Sequence, residues 1–189
     1  MADPQPPAPP SVRPAAPPRP GRPERLAHYT EADRREILGD DPDPFDSAHL
    51  GLTWLPTEHH IGIRYDGRLV AHAGLAVLPL AISGTQTTEV AGVGGVAVAP
   101  GLRRRGLARQ VVAAAMAHAR TLGPRHGLLF CRASLIPLYG SLGWQPLDAD
   151  VHVEQPGGPV PMPLVTMWTA LHEGAGRPTG AVRLLSLPM

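Results

Sequence analysis

The amino-acid sequence predicts an α/β domain in which helices cover a mixed central sheet. Residues 60–77, HIGIRYDGRLVAHAGLAV, contain two β-rich runs separated by Asp66 and Gly67, a dipeptide typical of a hairpin turn. Residues 85–100, TQTTEVAGVGGVAVAP, are typical of a long strand. From Leu107 to Leu122 the apolar spacing becomes helical. Helices that alternate with strands of this kind favour a mixed sheet.

The first 24 residues differ in composition from the rest of the chain. Ten of them are proline. Such a segment cannot form a helix or a strand ladder, and it has little apolar surface to bury. We therefore predict a disordered proline-rich tail over residues 1–24. Residues 25–189 are then a single domain, a length that suits one hydrophobic core.

A helix is predicted at the start of the domain. Thr30 precedes EADRREIL and is a typical N-cap, with Glu31 and Asp33 where the helix dipole favours acidic residues. The segment GDDPDPFDS ends this helix. It predicts either an ordinary solvated turn or an acidic rim that binds a cationic substrate. The candidate substrate-binding residues are Asp40, Asp41, Asp43 and Asp46.

The remaining elements follow from local signals. His72 lies in the apolar second run of the hairpin, where a satisfied core histidine is the ordinary interpretation. Glycines in the long strand indicate a bulge or a close approach of another group. Gly123 and Pro124 end the following helix. We then predict a buried strand in GLLFC, a short helix in SLIPLYGSLG, and strands in VHVEQ and PLVTMWTAL.

The loop between the long strand and its helix has the composition of an anion site. Pro100 and Gly101 end the strand, so the unpaired N–H groups of the next helix face the loop. Gly106 and Ala108 leave room for a diphosphate, and Arg103 can add charge-assisted bonds. The alternatives are a solvated charge run and a nucleic-acid patch. The latter is disfavoured because no aromatic residue lies near the loop.

Two motifs carry a family resemblance. Arg103-x-x-Gly106-x-Ala108 resembles the Gln/Arg-x-x-Gly-x-Gly/Ala signature of the GCN5-related N-acetyltransferases, the GNAT family, and the stretch LYGSLGW resembles their Tyr-x-x-x-Gly-aromatic motif. The resemblance implies a GNAT-like sheet, splayed at the cofactor-binding strand, and acetyl-CoA as co-substrate, without a metal. The cofactor-binding residues it implies are Val96, Ala97, Val98, Arg103, Arg104, Arg105, Gly106, Leu107 and Ala108.

The resemblance also implies the chemistry, which is transfer of an acetyl group to a primary amine. Tyr139 would stand beside the cofactor sulfur as general acid. The backbone N–H of Val98 would polarise the thioester carbonyl. For the general base the resemblance implies Glu89 on the long strand. His72 and the carboxylate of Met189 are alternatives.

A narrower resemblance is to the aminoglycoside 2′-N-acetyltransferases. It is carried by residues 67–73, residues 95–98, and the Leu-Tyr and Gly-Trp pairs of LYGSLGW. It implies a small cationic amine, such as an aminoglycoside antibiotic, as acceptor. Those enzymes have a glutamate base where this chain has Gly94. Two alternatives therefore stay open, an N-acyltransferase with a longer acyl donor and a non-catalytic CoA sensor.

Composition excludes several classes of function. The formal net charge of +1 gives no field strong enough to indicate a nucleic-acid or membrane partner. No run of 18 apolar residues and no signal peptide are present, so we expect a cytoplasmic protein whose partner is a small-molecule amine. Cys131 is the only cysteine, which excludes an internal disulfide and favours a core role. A homodimer is left open.

Overall fold

A computed structural model describes residues 20–84 and 86–189. Its strands, numbered in chain order, are β1 (Glu24–Leu26), β2 (His59–Tyr65), β3 (Arg68–Ile82), β4 (Gln86–Val98), β5 (His126–Cys131), β6 (Gln145–Pro146), β7 (Val151–Val153), β8 (Val160–Pro161), β9 (Val165–Ala170) and β10 (Val182–Leu184). Its helices are α1 (Glu31–Leu38), α2 (Leu107–Ala119) and α3 (Ile136–Gly140). Short 3₁₀ turns lie at Ala48–Leu50, Pro100–Leu102 and Ala133–Leu135.

The described strands form one mixed sheet, as predicted. Its order is β6-β9-β5-β4-β3-β10-β7-β8, while β2 pairs with β3 and β1 pairs with β2. The pairs β4–β5 and β7–β10 are parallel, and the other pairs are antiparallel. Strand β3 is long enough to pair with β2 through its first half and with β10 through its last residues, both on the same edge. The fold is the mixed α/β arrangement, with helices on the sheet, that the sequence predicted.

The hairpin and the first helix form for the predicted reasons. Asp66 and Gly67 both have positive φ angles, +50° and +79°, which is the backbone of a type I′ turn. Thr30 caps α1 through a capping box: its Oγ1 accepts a hydrogen bond from the N–H of Asp33, and its own N–H donates to Asp33 Oδ2. The predicted N-cap of α1 is confirmed.

Helix α2 is shorter than the predicted span of residues 107–122. It ends at Ala119, after which the N–H groups of Thr121 and Leu122 donate to carbonyls three residues earlier. These are the bonds of a 3₁₀ turn, which closes a helix end by taking up its last free carbonyls. The apolar spacing persists through this turn, so periodicity alone overestimates the helix.

The sheet carries a core on each face. Helix α2 packs one apolar face against β2, β3 and β4, and α3 joins the same side through Tyr139. On the opposite face α1 places Ile37 against Leu69 and Ala97. A second cluster on that face, around Leu78 and Leu80, includes residues from the C-terminal part of the chain. Strand β4 is therefore covered from both sides.

The predicted tail extends into the first strand of the sheet. Residues 1–19 of the predicted tail lie outside the described residues. The last predicted tail residue, Glu24, is the first residue of β1 and pairs with Gly62, so the ordered domain begins before the predicted boundary.

Strands β1, β6, β8 and β10 were not predicted, and each has only two or three residues. Within residues 20–84 and 86–189, no helix is long and apolar enough to cross a membrane.

Candidate active site

The sheet opens between β4 and β5. Parallel pairing joins these strands only at Ala91–Val93, opposite Gly127–Leu129. Beyond Val93 the edge of β4 that faces β5 has no strand partner among the described residues. This opening lies at the carboxyl ends of the parallel pair, where ligands enter open α/β sheets. It coincides with Val96, Ala97 and Val98, the predicted cofactor-binding residues.

A bulge in β4 marks the start of the opening. Gly74 pairs with Gly94 and His72 pairs with Ala97, so one residue of β3, Ala73, lies opposite two residues of β4. The first of those two is Gly95, with a φ angle of +58°, a conformation that glycine adopts without steric cost. The predicted bulge in the glycine-rich part of this strand is therefore present at Gly95.

His72 lies directly beneath this bulge. Its side chain is 2% exposed, and its Nδ1 lies 2.9 Å from the carbonyl oxygen of Gly95. Its Nε2 lies 3.1 Å from Nδ1 of His60, a residue that sequence reasoning did not single out. Burial lowers the pKa of His72 to about 4. Since both ring nitrogens are engaged and the ring is neutral, His72 is a satisfied core histidine and not a general base.

The loop after β4 has the backbone geometry of an anion site. Arg104 and Gly106 have φ angles of +62° and +79°, and Gly106 is the N-cap of α2 with no side chain that caps the helix. The first N–H groups of α2 are therefore left for a ligand or water, and the helix dipole favours an anion there. Exposed arginine side chains at positions 103, 104 and 105 surround this point.

Two predicted loop residues differ in role from the expectation. The Nε of Arg103 donates to the carbonyl oxygen of Val98 at 3.2 Å, so this guanidinium closes the loop onto the end of β4. Leu107 is buried and packs in the core on the α2 face. Its side chain therefore anchors the helix, and only its backbone faces the loop.

Tyr139 lies on α3, on the same face of the sheet as α2. Its side chain is 5% exposed, and its ring meets Trp144 edge to face with centroids 6.4 Å apart. The N–H of Trp144 donates to the carbonyl of Tyr139, which closes a turn through Gly143 at a φ angle of +87°. Burial, and secondarily Cys131, raises the pKa of the phenol to about 12. Cys131 is buried in the same cluster, in the core position predicted for it.

Glu89 is not positioned to act as the general base. Glu89 is exposed and pairs with Pro79 of β3, near the end of the β3–β4 ladder that is farther from the bulge at Gly95. Seven residues separate it from Val96, which corresponds to about 23 Å of strand. A carboxylate side chain spans only a small part of that distance. The geometry therefore does not support Glu89 as base, because membership of one strand does not bring two residues together.

The position expected to hold a base is filled by another residue. A Cβ built on Gly94 would lie 2.8 Å from the main-chain carbonyl carbon of Met189 and 3.1 Å from its Cγ. Met189 therefore occupies the space that a glutamate side chain would need at this position. Thr57 covers the facing Gly74 in the same way. A longer side chain therefore has no room at position 94.

The acidic loop reaches the carboxyl end of β5. Arg132, the residue after β5, donates from one guanidinium nitrogen to the carbonyls of Phe45 and Asp46 and to Asp46 Oδ2 at 2.6–2.8 Å. This contact places the loop beside the opening between β4 and β5. The same guanidinium group forms an ion pair with the Asp46 carboxylate.

The other predicted carboxylates of the loop have internal partners as well. Asp43 accepts hydrogen bonds from the N–H groups of Ser47 and Ala48, which lower its pKa. Asp41 Oδ1 accepts from the N–H of Asp43, and Asp40 lies 3.5 Å from Arg35. The four aspartates therefore shape the loop and do not converge as an unpaired acidic rim.

A metal centre is not indicated in the described ranges. No group of three or more histidine, cysteine or carboxylate side chains there is arranged to hold an ion. The charged groups near the opening are guanidinium groups and compensated carboxylates. Such a site is suited to an anionic ligand at the loop.

Comparison with known proteins identifies the family of this chain. The family model described as Acetyltransferase (GNAT) domain matches residues 42–147, more than half of the chain. Among curated proteins no sequence match is found.

Solved structures share the fold. A GNAT family N-acetyltransferase from Escherichia coli, solved in complex with CoA, is 18% identical with a TM-score of 0.58, over 87% of this chain and 90% of that one. A putative N-acetyltransferase from Lactobacillus plantarum is 15% identical with a TM-score of 0.51, over 80% and 100% of the two chains. The ribosomal-protein-S18-alanine N-acetyltransferase from Escherichia coli is 16% identical with a TM-score of 0.50, over 82% and 99%.

Proposed function

The chain belongs to the acetyltransferase (GNAT) domain family, and we propose that it transfers an acetyl group from acetyl-CoA to a primary amine of a small molecule. One observation carries this proposal. The unpaired edge of β4 at Val96–Val98 is followed by a short loop and then by the uncapped amino end of α2. A ligand with an extended amide arm and a diphosphate fits both features at once.

The residues present fit acetyl-CoA. The N–H and C=O groups of Val96 and the N–H group of Val98 lie on the unpaired edge and can pair with the amides of the pantetheine arm as an added strand would. The carbonyl of Val98 accepts from Arg103. The N–H groups that follow Gly106 can bind the pyrophosphate, which the helix dipole also favours. The side chains of Arg104 and Arg105 are exposed beside this point and can meet the remaining phosphate.

Tyr139 supplies the proton in this proposal. The bond between the amine nitrogen and the acetyl carbon forms while the carbon–sulfur bond breaks. The departing sulfur takes up the phenol proton, and the acylated nitrogen releases one proton to water. With a pKa of about 12 the phenol stays protonated at every pH near neutrality, so it is always available as a donor. The phenol then recovers its proton from solvent.

The amine must lose its own proton without Glu89 or His72. Glu89 lies too far along β4, and the ring of His72 is buried with both nitrogens engaged. We propose that the amine reacts as the free base, its proton lost to water or to the Met189 carboxylate, whose carbon lies 2.8 Å from a Cβ built on Gly94. Activity then rises with pH toward the pKa of the acceptor amine.

The acceptor is proposed as a compact primary amine and not specifically as an aminoglycoside. The feature that favoured a polycationic sugar was an unpaired acidic rim, and its carboxylates have partners within the chain. The loop still lies beside the opening through Arg132. We therefore propose that the loop contributes to acceptor binding through the shape of the opening more than through free negative charge.

The test is the release of free CoA by the purified full chain. Acetyl-CoA is incubated with a panel of aminoglycosides, polyamines, amino sugars and monoamines, and acetylated products are identified by mass spectrometry. We expect a product with a mass gain of one acetyl group for at least one amine. Release of CoA from longer acyl donors alone would favour the N-acyltransferase alternative. Tight CoA binding without any product would favour the sensor alternative.

A further inference from the structure

We propose that His72 and His60 form a brace that holds the carbonyl of Gly95 and so keeps β4 open for acyl-CoA. This inference rests on the function proposed above, because it assigns a positioning role at the same site. In this role neither histidine touches the reacting atoms. Their role is to fix the backbone that binds the cofactor.

The direction of each hydrogen bond follows from the chemistry of the groups. A carbonyl oxygen can only accept, so Nδ1 of His72 carries a hydrogen and donates to Gly95 at 2.9 Å. In the neutral ring Nε2 of His72 is then an acceptor, and Nδ1 of His60 must donate to it at 3.1 Å. The bonds thus fix one tautomer at each ring.

Packing holds the two rings in this orientation. Tyr29 stacks on His72 with ring centroids 3.7 Å apart and an interplanar angle of 9°, and it lies 5.4 Å from the ring of His60. Strands β2 and β3 place the two histidines diagonally on one face of the hairpin, since His60 pairs with Gly74 and His72 pairs with Gly62. The imidazole of His72 therefore has little freedom to leave the Gly95 carbonyl.

The Gly95 carbonyl matters because it sits at the bulge. If the extra residue of β4 were absorbed, every residue beyond it would shift by one position and turn to the opposite face of the sheet. Ala97 now packs with Ile37 and Leu69, while Val96 and Val98 pack toward the α2 side. A shift would reverse these contacts and move the N–H groups that face the opening. The bond from His72 stabilises the bulged arrangement against that shift.

The buried surroundings of His72 disfavour protonation of the His60–His72 pair. The groups that face His72 are Tyr29, His60 and Asp33, and burial is the largest cause of its lowered pKa. If the pair binds one additional proton, the hydrogen bond between the rings can still form, because either His60 Nδ1 or His72 Nε2 can donate to the other. Two added protons would place two N–H groups against each other. The brace therefore persists at neutral pH.

The first experiment uses the unmodified protein. A long-range ¹H–¹⁵N NMR spectrum of the histidine rings reports which nitrogen carries the hydrogen. We expect His72 as the Nδ1–H tautomer, neutral at pH 6, with the same tautomer at His60. An Nε2–H tautomer at His72, or a protonated His72 ring at pH 6, would overturn the proposed bonds.

The second experiment measures CoA binding by isothermal titration calorimetry. In His72→Leu a side chain of similar volume removes the donor to Gly95, and loss of one buried hydrogen bond predicts binding weaker by about tenfold. In His72→Asn the amide nitrogen can replace Nδ1, so we expect binding within about threefold of the unmodified protein. His60→Leu should fall between these two. If His72→Leu does not fold, binding by His60→Leu and the NMR spectrum decide.

His126→Leu is the matched control. Nε2 of His126 also lies 2.8 Å from a carbonyl oxygen, that of Gly176, but at the far end of β5. This variant should lose a comparable bond without loss of CoA affinity. Equal CoA affinity in His72→Leu and the unmodified protein would overturn the brace while leaving the proposed function intact. Failure of the unmodified protein to bind CoA would instead remove the proposed function.

Discussion

At the scale of single residues, Gly94 shows how a missing side chain is explained by its neighbour. Met189 lies over Gly94 and also over Gly92, so both positions lack room for a Cβ. The sequence alone indicates only that the expected base is missing. The structure adds the reason, because a residue from the far end of the chain fills that space.

This packing predicts the cost of adding one methyl group. Gly94→Ala should lower the free energy of unfolding by about 1–3 kcal/mol, since overpacking displaces backbone and not a flexible side chain. The measurement is urea unfolding followed by circular dichroism. Gly157→Ala is the matched control, because a Cβ there meets nothing within 4 Å. Equal stability of the two variants would contradict the contact with Met189.

Tyr139 carries the second prediction at this scale. Tyr139→Phe removes the phenol hydroxyl and keeps the ring that packs against Trp144. If the hydroxyl protonates the leaving thiolate, kcat should fall by about 10²-fold or more. CoA affinity should stay unchanged, because the ring contacts are retained. Tyr65→Phe, on β2, is the control variant, and retention of full turnover in Tyr139→Phe would contradict the role of the acid.

At the scale of elements, local sequence signals predicted the turns, the helix cap and the bulge, but they did not predict the short strands. The Asp66–Gly67 turn, the Thr30 cap and the bulge near Gly95 each depend on neighbouring residues, and each is present. Strands of two or three residues, such as β6 and β10, exist only because distant partners pair with them. A single sequence does not reveal those partners.

The same distinction between local and long-range interactions applies to the candidate site. The loop from Arg103 to Ala108 and the position of Tyr139 follow local motifs. The neutralisation of Asp46 by Arg132 joins positions 86 residues apart, so the acidic composition of the loop overstated its free charge. The bond between His60 and His72 was not within reach of the sequence. Regular pairing across the predicted turn would place His60 opposite Ala73, on the other face from His72. The register shift between Ile63 and Arg64 brings the two rings to one face.

The start of α2 carries the prediction at this scale. Gly106 has a φ angle of +79°, where a Cβ costs about 1–2 kcal/mol. Gly106→Ala should therefore turn the first N–H groups of α2 away from the pyrophosphate and weaken CoA binding by about tenfold. Calorimetric titration measures this. Gly101→Ala is the control, because Gly101 lies in the same loop with an ordinary φ angle and open space around it. Equal weakening in both variants would contradict the special role of Gly106.

At the scale of the whole molecule, β3 connects the site to the rest of the domain. One edge of β3 pairs with β4 along nearly its whole length, and the other edge is shared by β2 and β10. The histidine brace thus reaches the bulge from β2 and β3, and Met189 reaches it from the segment after β10. Segments distant in sequence therefore determine the geometry of the cofactor strand.

Buried ionisable groups of this core predict how global stability depends on pH. The pKa of His72 is lowered from 6.5 to about 4, so below pH 6.5 the unfolded chain binds a proton that the folded chain does not. Stability is then complete above about pH 6.5 and is lost as the pH falls toward 4, by about 3 kcal/mol for this group. Burial lowers the pKa of His60, His118 and His126 as well, which adds to the loss in the same direction.

The alkaline limb has the opposite sign. Burial raises the pKa of Tyr29 and Tyr139 to about 12 and that of Cys131 to about 11. These groups ionise first in the unfolded chain, so stability is lost as the pH rises past about 9 toward these values. Urea unfolding midpoints between pH 4 and pH 10 should therefore show a plateau from about pH 6.5 to 9. His72→Asn removes the titrating ring and should flatten the acid limb. An acid limb of unchanged steepness in that variant would show that His72 is not the group responsible.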